Sequence, residues 1–321
     1  MPILKSSYGR PPSYLFNGHL ETIIPSLFRR VEGVQYLREK ISTPDGDFLT
    51  IDWSRVGGEK LLIISHGLEG DSKRHYAMGL AKLFNLNGVD VVAWNNRTCG
   101  GELNLKPILY HHGASYDLET VIRHIQTHHF YKEIFLAGIS MGGAQTLKYL
   151  GEQGQDLPKE ITRAAVYSTP CNLPSSAETL KYRSNLFYKN RFLGKLKKKM
   201  EAKAVQFPEL IDLDLLKKVK NFDEFDTHFT AKLHGYKDAA DFYRSVSADN
   251  WMDKIQIPTL IVNAQNDPLL GPECYPKKLA ESKPEILLEM PKRGGHTGFV
   301  VKNQEFTWAE YRFLEFFTGK N

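Results

Sequence analysis

Residues Lys132 to Tyr149 read KEIFLAGISMGGAQTLKY. Ile134 to Gly138 is an apolar run, too short for a helix and closed by glycine, and it predicts a buried strand. Ala144 to Leu150 has helical character, with Leu147 and Leu150 apolar and Gln145 and Lys148 polar. Between them, Gly138-Ile139-Ser140-Met141-Gly142 matches G-x-S-x-G, which puts a serine on a sharp strand-to-helix turn with its oxygen above the sheet. The glycines suit a strained turn in which a flanking side chain would collide with strand or helix. The helix behind Ser140 offers unpaired N–H groups and a positive dipole end where an oxyanion would form. A glycine-rich turn with an incidental serine is the bland alternative; the strand before it and the helix after it favour a nucleophile.

Working outward, a chain of 321 residues can bury a large core. Its 41% hydrophobic and 25% charged residues are ordinary for a globular protein. The net charge of +5 does not by itself imply nucleic acid, and none is expected as a partner. Cys99, Cys171 and Cys274 are few and odd in number, with no C-x-x-C pair, which points to a reducing compartment without structural disulfides. The first residues, MPILKSSYGRPPSYLF, lack the apolar core of a secretion signal, and no apolar run reaches spanning length. The expectation is a soluble cytoplasmic protein.

Residues 1–36 read as an N-terminal arm. Pro2, Pro11, Pro12 and Pro25 argue against long regular elements, and the apolar residues between them suit a strap packed on the main domain better than a contact to a membrane or partner. His19 reads as structural. Residues 37–170 and 247–321 carry alternating strands and helices, which predict a mostly parallel central sheet with helices on both faces. Residues 171–246 break that alternation and read as a helical lid insertion. Its late aromatics, Phe225, Phe229 and Phe242 among them, are candidates for a substrate pocket. Its basic run, Arg191 to Lys199, reads first as a solvated helix face, with a peripheral contact to anionic membrane as the alternative.

Three residues then fall in a telling order. Ser140, Asp267 and His296 each lie on a loop after a predicted strand, and the order serine, acid, histidine is that of α/β-hydrolases. A serine hydroxyl needs a base to take its proton, here His296, and Asp267 would hold the imidazole tautomer. The oxyanion donors expected are the backbone N–H groups of Met141 and of Leu68, in the loop His66-Gly67-Leu68-Glu69-Gly70. His112 and Asp117 fit an H-x4-D spacing seen in some acyltransferases, although Asp117 reads better as a first-turn helix carboxylate.

The chain resembles the YheT-like branch of the α/β-hydrolases, related to the animal abhydrolase-domain lipases. The resemblance is carried by Asn17-Gly18-His19-Leu20-Glu21-Thr22-Ile23, His66 to Gly70, Asn95-Asn96-Arg97, Gly138 to Gly142, Asn263 to Pro268 and Gly294-Gly295-His296. It implies a serine carboxylic ester hydrolase with acylglycerols or other lipid esters as plausible substrates. No metal cluster or nucleotide loop is visible in the sequence, so no cofactor or metal is expected. One departure stands out. The family often has two acidic residues before the proline, and here the first is Asn266, which leaves Asp267 as the local candidate. Thioesterase, peptidase or acyltransferase chemistry on the same residues stays open, as does a non-catalytic binding protein on this scaffold.

Overall fold

The computed structural model describes residues 3–319. Nine strands form one sheet: β1 (Ile3–Leu4), β2 (Leu37–Ser42), β3 (Phe48–Ser54), β4 (Lys60–Ser65), β5 (Asp90–Asn95), β6 (Glu133–Ile139), β7 (Ile161–Tyr167), β8 (Thr259–Val262) and β9 (Ile286–Glu289). Their order is β1-β9-β8-β7-β6-β4-β5-β3-β2, parallel from β1 to β5, with β3 antiparallel to both β5 and β2. The mostly parallel sheet of the sequence reading is what forms.

Successive residues of a strand face opposite sides. In β4, Leu61 and Ile63 join one buried cluster, while Leu62 and Ile64 join the other. The first cluster packs the helices α3 (Ser115–His128) and α4 (Met141–Gln153) through residues such as Val121, Ile125 and Leu147. The second packs α2 (His75–Leu86) and the C-terminal helix Trp308–Thr318 through Leu80, Phe84, Phe313 and Phe317. Burial on both faces is why the central strands are nearly unbroken apolar runs.

The arm departs from expectation. Its residues 18–28 form an α-helix, α1 (Gly18–Phe28), capped by the Asn17 side chain, which accepts from the Leu20 N–H at 2.9 Å. Pro25 lies in the last turn of this helix, where it withdraws one N–H from the ladder while its own carbonyl still accepts from the Arg29 N–H at 3.0 Å, and the proline count alone concealed the helix. Ile3 and Leu4 extend the sheet beyond β9.

Between β7 and β8 the chain is helical. After α5 (Leu173–Leu180), the basic run lies on α6 (Leu186–Gln206), which buries Leu193, Leu196 and Met200 against Ile211, Leu216, Phe225 and Phe229. Arg191, Lys195 and Lys198 are exposed, but Lys197 and Lys199 are half-buried and Lys203 is fully buried, so the basic run is only in part the solvated face that the sequence suggested.

Arg97, from the Asn-Asn-Arg stretch after β5, is buried against three carboxylates. It bonds Asp117 through Nε and Nη2, the latter at 2.8 Å, and Asp45 and Asp47 at 2.7 and 3.1 Å. Burial opposes the guanidinium charge, but these carboxylates outweigh it and raise the arginine's pKa. Asp117 is therefore the counterion of Arg97, beyond its place in the first turn of α3, and it is not paired with His112. Arg97→Met would leave Asp47 and Asp117 buried without their cation. We expect a loss of about 3–5 kcal/mol in unfolding free energy, read as a lower urea midpoint. A variant within 1 kcal/mol of wild type would show that the cluster contributes little.

Candidate active site

The site forms at the C-terminal ends of β4, β6 and β8. In register, Ser65 on β4 pairs with Gly138 on β6, so the loops that follow are neighbours. Strand order reverses here, with β5 and β6 on opposite sides of β4, the position where open α/β sheets leave a crevice. Ser140 occupies the turn between β6 and α4 with φ +55°, a conformation rare for a side-chain-bearing residue. Its N–H donates to the Tyr167 carbonyl at 3.0 Å, and its own carbonyl accepts from Gly143 and Ala144. Gly142 has no room for a side chain, since a Cβ there would overlap the Ser65 carbonyl.

The structure brings Ser140, His296 and Asp267 together. His296 Nε2 lies 2.9 Å from Ser140 Oγ, and His296 Nδ1 lies 2.8 and 3.1 Å from the two Asp267 oxygens. Asp267 is buried, and its Oδ1 also accepts from the Leu269 N–H at 2.9 Å. With Asp267 accepting at Nδ1, the proton sits there and Nε2 is left to accept from serine.

Leu68 lines the cavity above Ser140, whereas Met141 is fully buried as the first residue of α4. Among the described residues, neither the Leu68 nor the Met141 N–H donates to an acceptor. The loop carrying Leu68 is braced from below by His66. Its Nε2 accepts from the Asn96 N–H at 3.1 Å, so Nδ1 carries the proton and donates to the Gly67 carbonyl at 2.7 Å. Burial brings this histidine's pKa down to about 4 and keeps it neutral. Gln145 of α4 donates to Asn96 at 2.8 Å, which links the serine's helix to the same brace.

Of the three phenylalanines, Phe225 and Phe242 line the cavity. Phe229 does not. It packs behind Phe225, ring centroids 5.6 Å apart, in the α6 cluster, and the sequence reading is corrected there. Loop residues 109–112, Leu173 and Leu180 of α5, and Tyr188 and Leu196 of α6 complete much of the wall.

Sequence reasoning missed the role of α1. Glu21, buried, accepts from Arg293 Nε and the Gly294 N–H, both at 2.6 Å, and from Asn266 Nδ2 at 2.9 Å. Asn266 Oδ1 in turn accepts from the Gly295 N–H at 3.0 Å, and Thr22 Oγ1 accepts from the His296 N–H at 2.8 Å. Gly18 approaches so closely that a Cβ would overlap the Asn266 carbonyl. The arm thus ties the loop of Asp267 to the loop of His296. An acid at position 266 would face the Glu21 carboxylate, which explains the asparagine. The available signal was the polar pair Glu21-Thr22 within an apolar arm. His19 lies 3.1 Å from the Tyr188 hydroxyl and is not among the residues that line the cavity.

Among the described residues, one trio has metal-ligand spacing. Glu39, His124 and His129 place ligand atoms within 4.8 Å of one another. None lines the cavity, and Trp53, His124 and Arg55 already bond these atoms.

A strained serine at a strand-to-helix turn, a following histidine and acid, and a parallel sheet beneath them define an α/β-hydrolase. The chain belongs to the Hydrolase_4 family, described as serine aminopeptidase, S33, whose model matches residues 58–285. The YheT protein of Escherichia coli K12 is 32% identical over 94% of this chain and 90% of its own length. Mouse phospholipase ABHD3 is 29% identical over 98% of this chain and 79% of its own length. The fold matches the Pyrococcus furiosus esterase Pf2001 with a TM-score of 0.59 at 17% identity, over 98% of each chain. The resemblance to the YheT-like branch is borne out, and the chain is an esterase- and lipase-like serine hydrolase. Among the described residues, no helix is long and apolar enough to cross a membrane.

Proposed function

We propose that this chain hydrolyses lipid-like carboxylic esters through an acyl-enzyme on Ser140. The 2.9 Å approach of His296 Nε2 to Ser140 Oγ at the floor of an apolar cavity carries the reading. Ser140 Oγ attacks the ester carbonyl carbon as its proton passes to His296 Nε2. The oxyanion accepts from the Leu68 and Met141 N–H groups. Collapse breaks the bond to the alcohol, which leaves with the proton from His296. Water, deprotonated by the same nitrogen, then attacks the acyl carbon, releases the acid and restores the serine. Asp267 keeps the imidazole oriented throughout. The acyltransferase alternative on His112 and Asp117 loses support, because Arg97 occupies Asp117.

We read residues 171–246 as a lid whose aromatic wall sets acyl-chain length. Phe225 and Phe242 supply apolar surface there, and a buried methylene is worth about 0.8 kcal/mol. The name of the mouse relative, a phospholipase, supports an acyl-lipid substrate. A p-nitrophenyl ester series from acetate to dodecanoate tests the reading. Phe225→Ala and Phe242→Ala are expected to move the optimum chain length by at least two carbons and to change acetate turnover by less than about threefold. Equal effects on acetate and octanoate would remove any selective role for this wall. Wild-type protein that hydrolyses no ester in the series would sink the hydrolase reading itself.

A further inference from the structure

The cavity that holds Ser140 is apolar along most of its length, but its lining also contains Arg74, Arg191 and Lys195. Arg191 and Lys195 are one turn apart on the exposed side of α6, so they present to the same face. Lys195 Nζ donates to the Glu69 carbonyl at 3.3 Å, in the loop whose Gly67 abuts Ser140. Arg74 donates to Ser26 Oγ of α1 at 2.8 Å.

Among the described residues, none of these three cations has a carboxylate within ion-pair distance. The carboxylates of the lining are already engaged. Glu69 pairs with Lys199 at 2.8 Å and accepts from the Tyr110 hydroxyl. Asp226 accepts from Thr230 and Tyr243. Burial, with Arg191, Arg74 and Lys199 close by, lowers the Lys195 pKa against the pull of Glu69, so these charges feel one another. A cluster of like charges without counterions is unfavourable unless an anion joins it. Leu27 and Phe187 also line the cavity while remaining exposed, so its polar and apolar portions meet.

We propose that Arg191 and Lys195, with Arg74, form a subsite for the phosphate of an acidic headgroup on the alcohol side of the ester. The substrate class is then an acyl ester of a glycerol phosphate type, with its chain against the aromatic wall and its phosphate on the cations. Arginine and lysine suit this role through charge-assisted bonds to phosphate oxygens. The inference rests on the hydrolase reading above and narrows its substrate.

The test uses two esters that are monomeric in solution, hexanoyl glycerol 3-phosphate and hexanoyl glycerol. The wild-type ratio of kcat/KM is expected to favour the phosphate ester. Arg191→Gln with Lys195→Gln should lower that ratio roughly ten- to a hundredfold through the KM of the phosphate ester, and the charge-conserving Arg191→Lys with Lys195→Arg should restore most of it. Added salt should narrow the wild-type ratio by screening. A ratio near one in the wild type, or parallel changes in both esters, would overturn the subsite while leaving the hydrolase reading standing. The subsite also fails if the preference appears only with substrate in anionic vesicles and not with the monomers, since the cations would then be docking the protein to a surface.

Discussion

Ser140→Ala is expected to lower ester turnover by on the order of 10⁶-fold without unfolding the protein. The hydroxyl bonds His296, and the backbone bond from Ser140 N–H to Tyr167 is untouched. Alanine carries the same Cβ as serine, so the strain at φ +55° is unchanged. Turnover of p-nitrophenyl butyrate, with a thermal melt of the same sample, checks both halves. A fluorophosphonate probe should label wild type and not the variant. A folded Ser140→Ala protein that still turns over at the wild-type rate would transfer the nucleophile elsewhere.

Asp267→Asn is expected to cost about 10⁴-fold in kcat. The Leu269 N–H would still hold the side chain in place through Oδ1. The amide would then present its NH₂ toward His296 Nδ1, where the carboxylate now accepts at 2.8 Å. The imidazole would respond by carrying its proton on Nε2, facing Ser140, where it cannot receive another in neutral form. Steady-state kcat with a short ester is the measurement. A loss smaller than tenfold would mean that another group orients the histidine.

Much of this site was legible because its signals are local. The strand, the G-x-S-x-G turn and the helix behind it occupy one short stretch, and the loops of Asp267 and His296 each follow their own apolar run. Boundaries moved by one to three residues, as at β6, which begins at Glu133, and at α4, which runs from Met141 to Gln153. What was hidden depends on pairs distant in sequence. Nothing in the spacing of Arg97 announces Asp45, Asp47 and Asp117 as its partners. Phe229 belongs to the same aromatic cluster as Phe225, and only the packing of α6 separates a cavity wall from the layer behind it. The arm misled for a different reason. Proline content is a poor guide when a capping asparagine starts the helix and the proline falls near its end.

The bonds from Glu21 and Thr22 to Asn266, Gly294 and His296 span 245 to 274 positions of sequence. Contacts of such high separation carry a large loop-closure entropy, and a chain reaches them late. During synthesis, residues 18–28 emerge well before these partners, which follow 245 to 274 positions later in the chain. The sheet centred on β4 to β7 can form around Ser140 before either remaining member of the site is held. Ser140 is thus present in the nascent chain while the loop of His296 is not yet anchored, and the three side chains can meet only after both later loops have been made and have docked on α1.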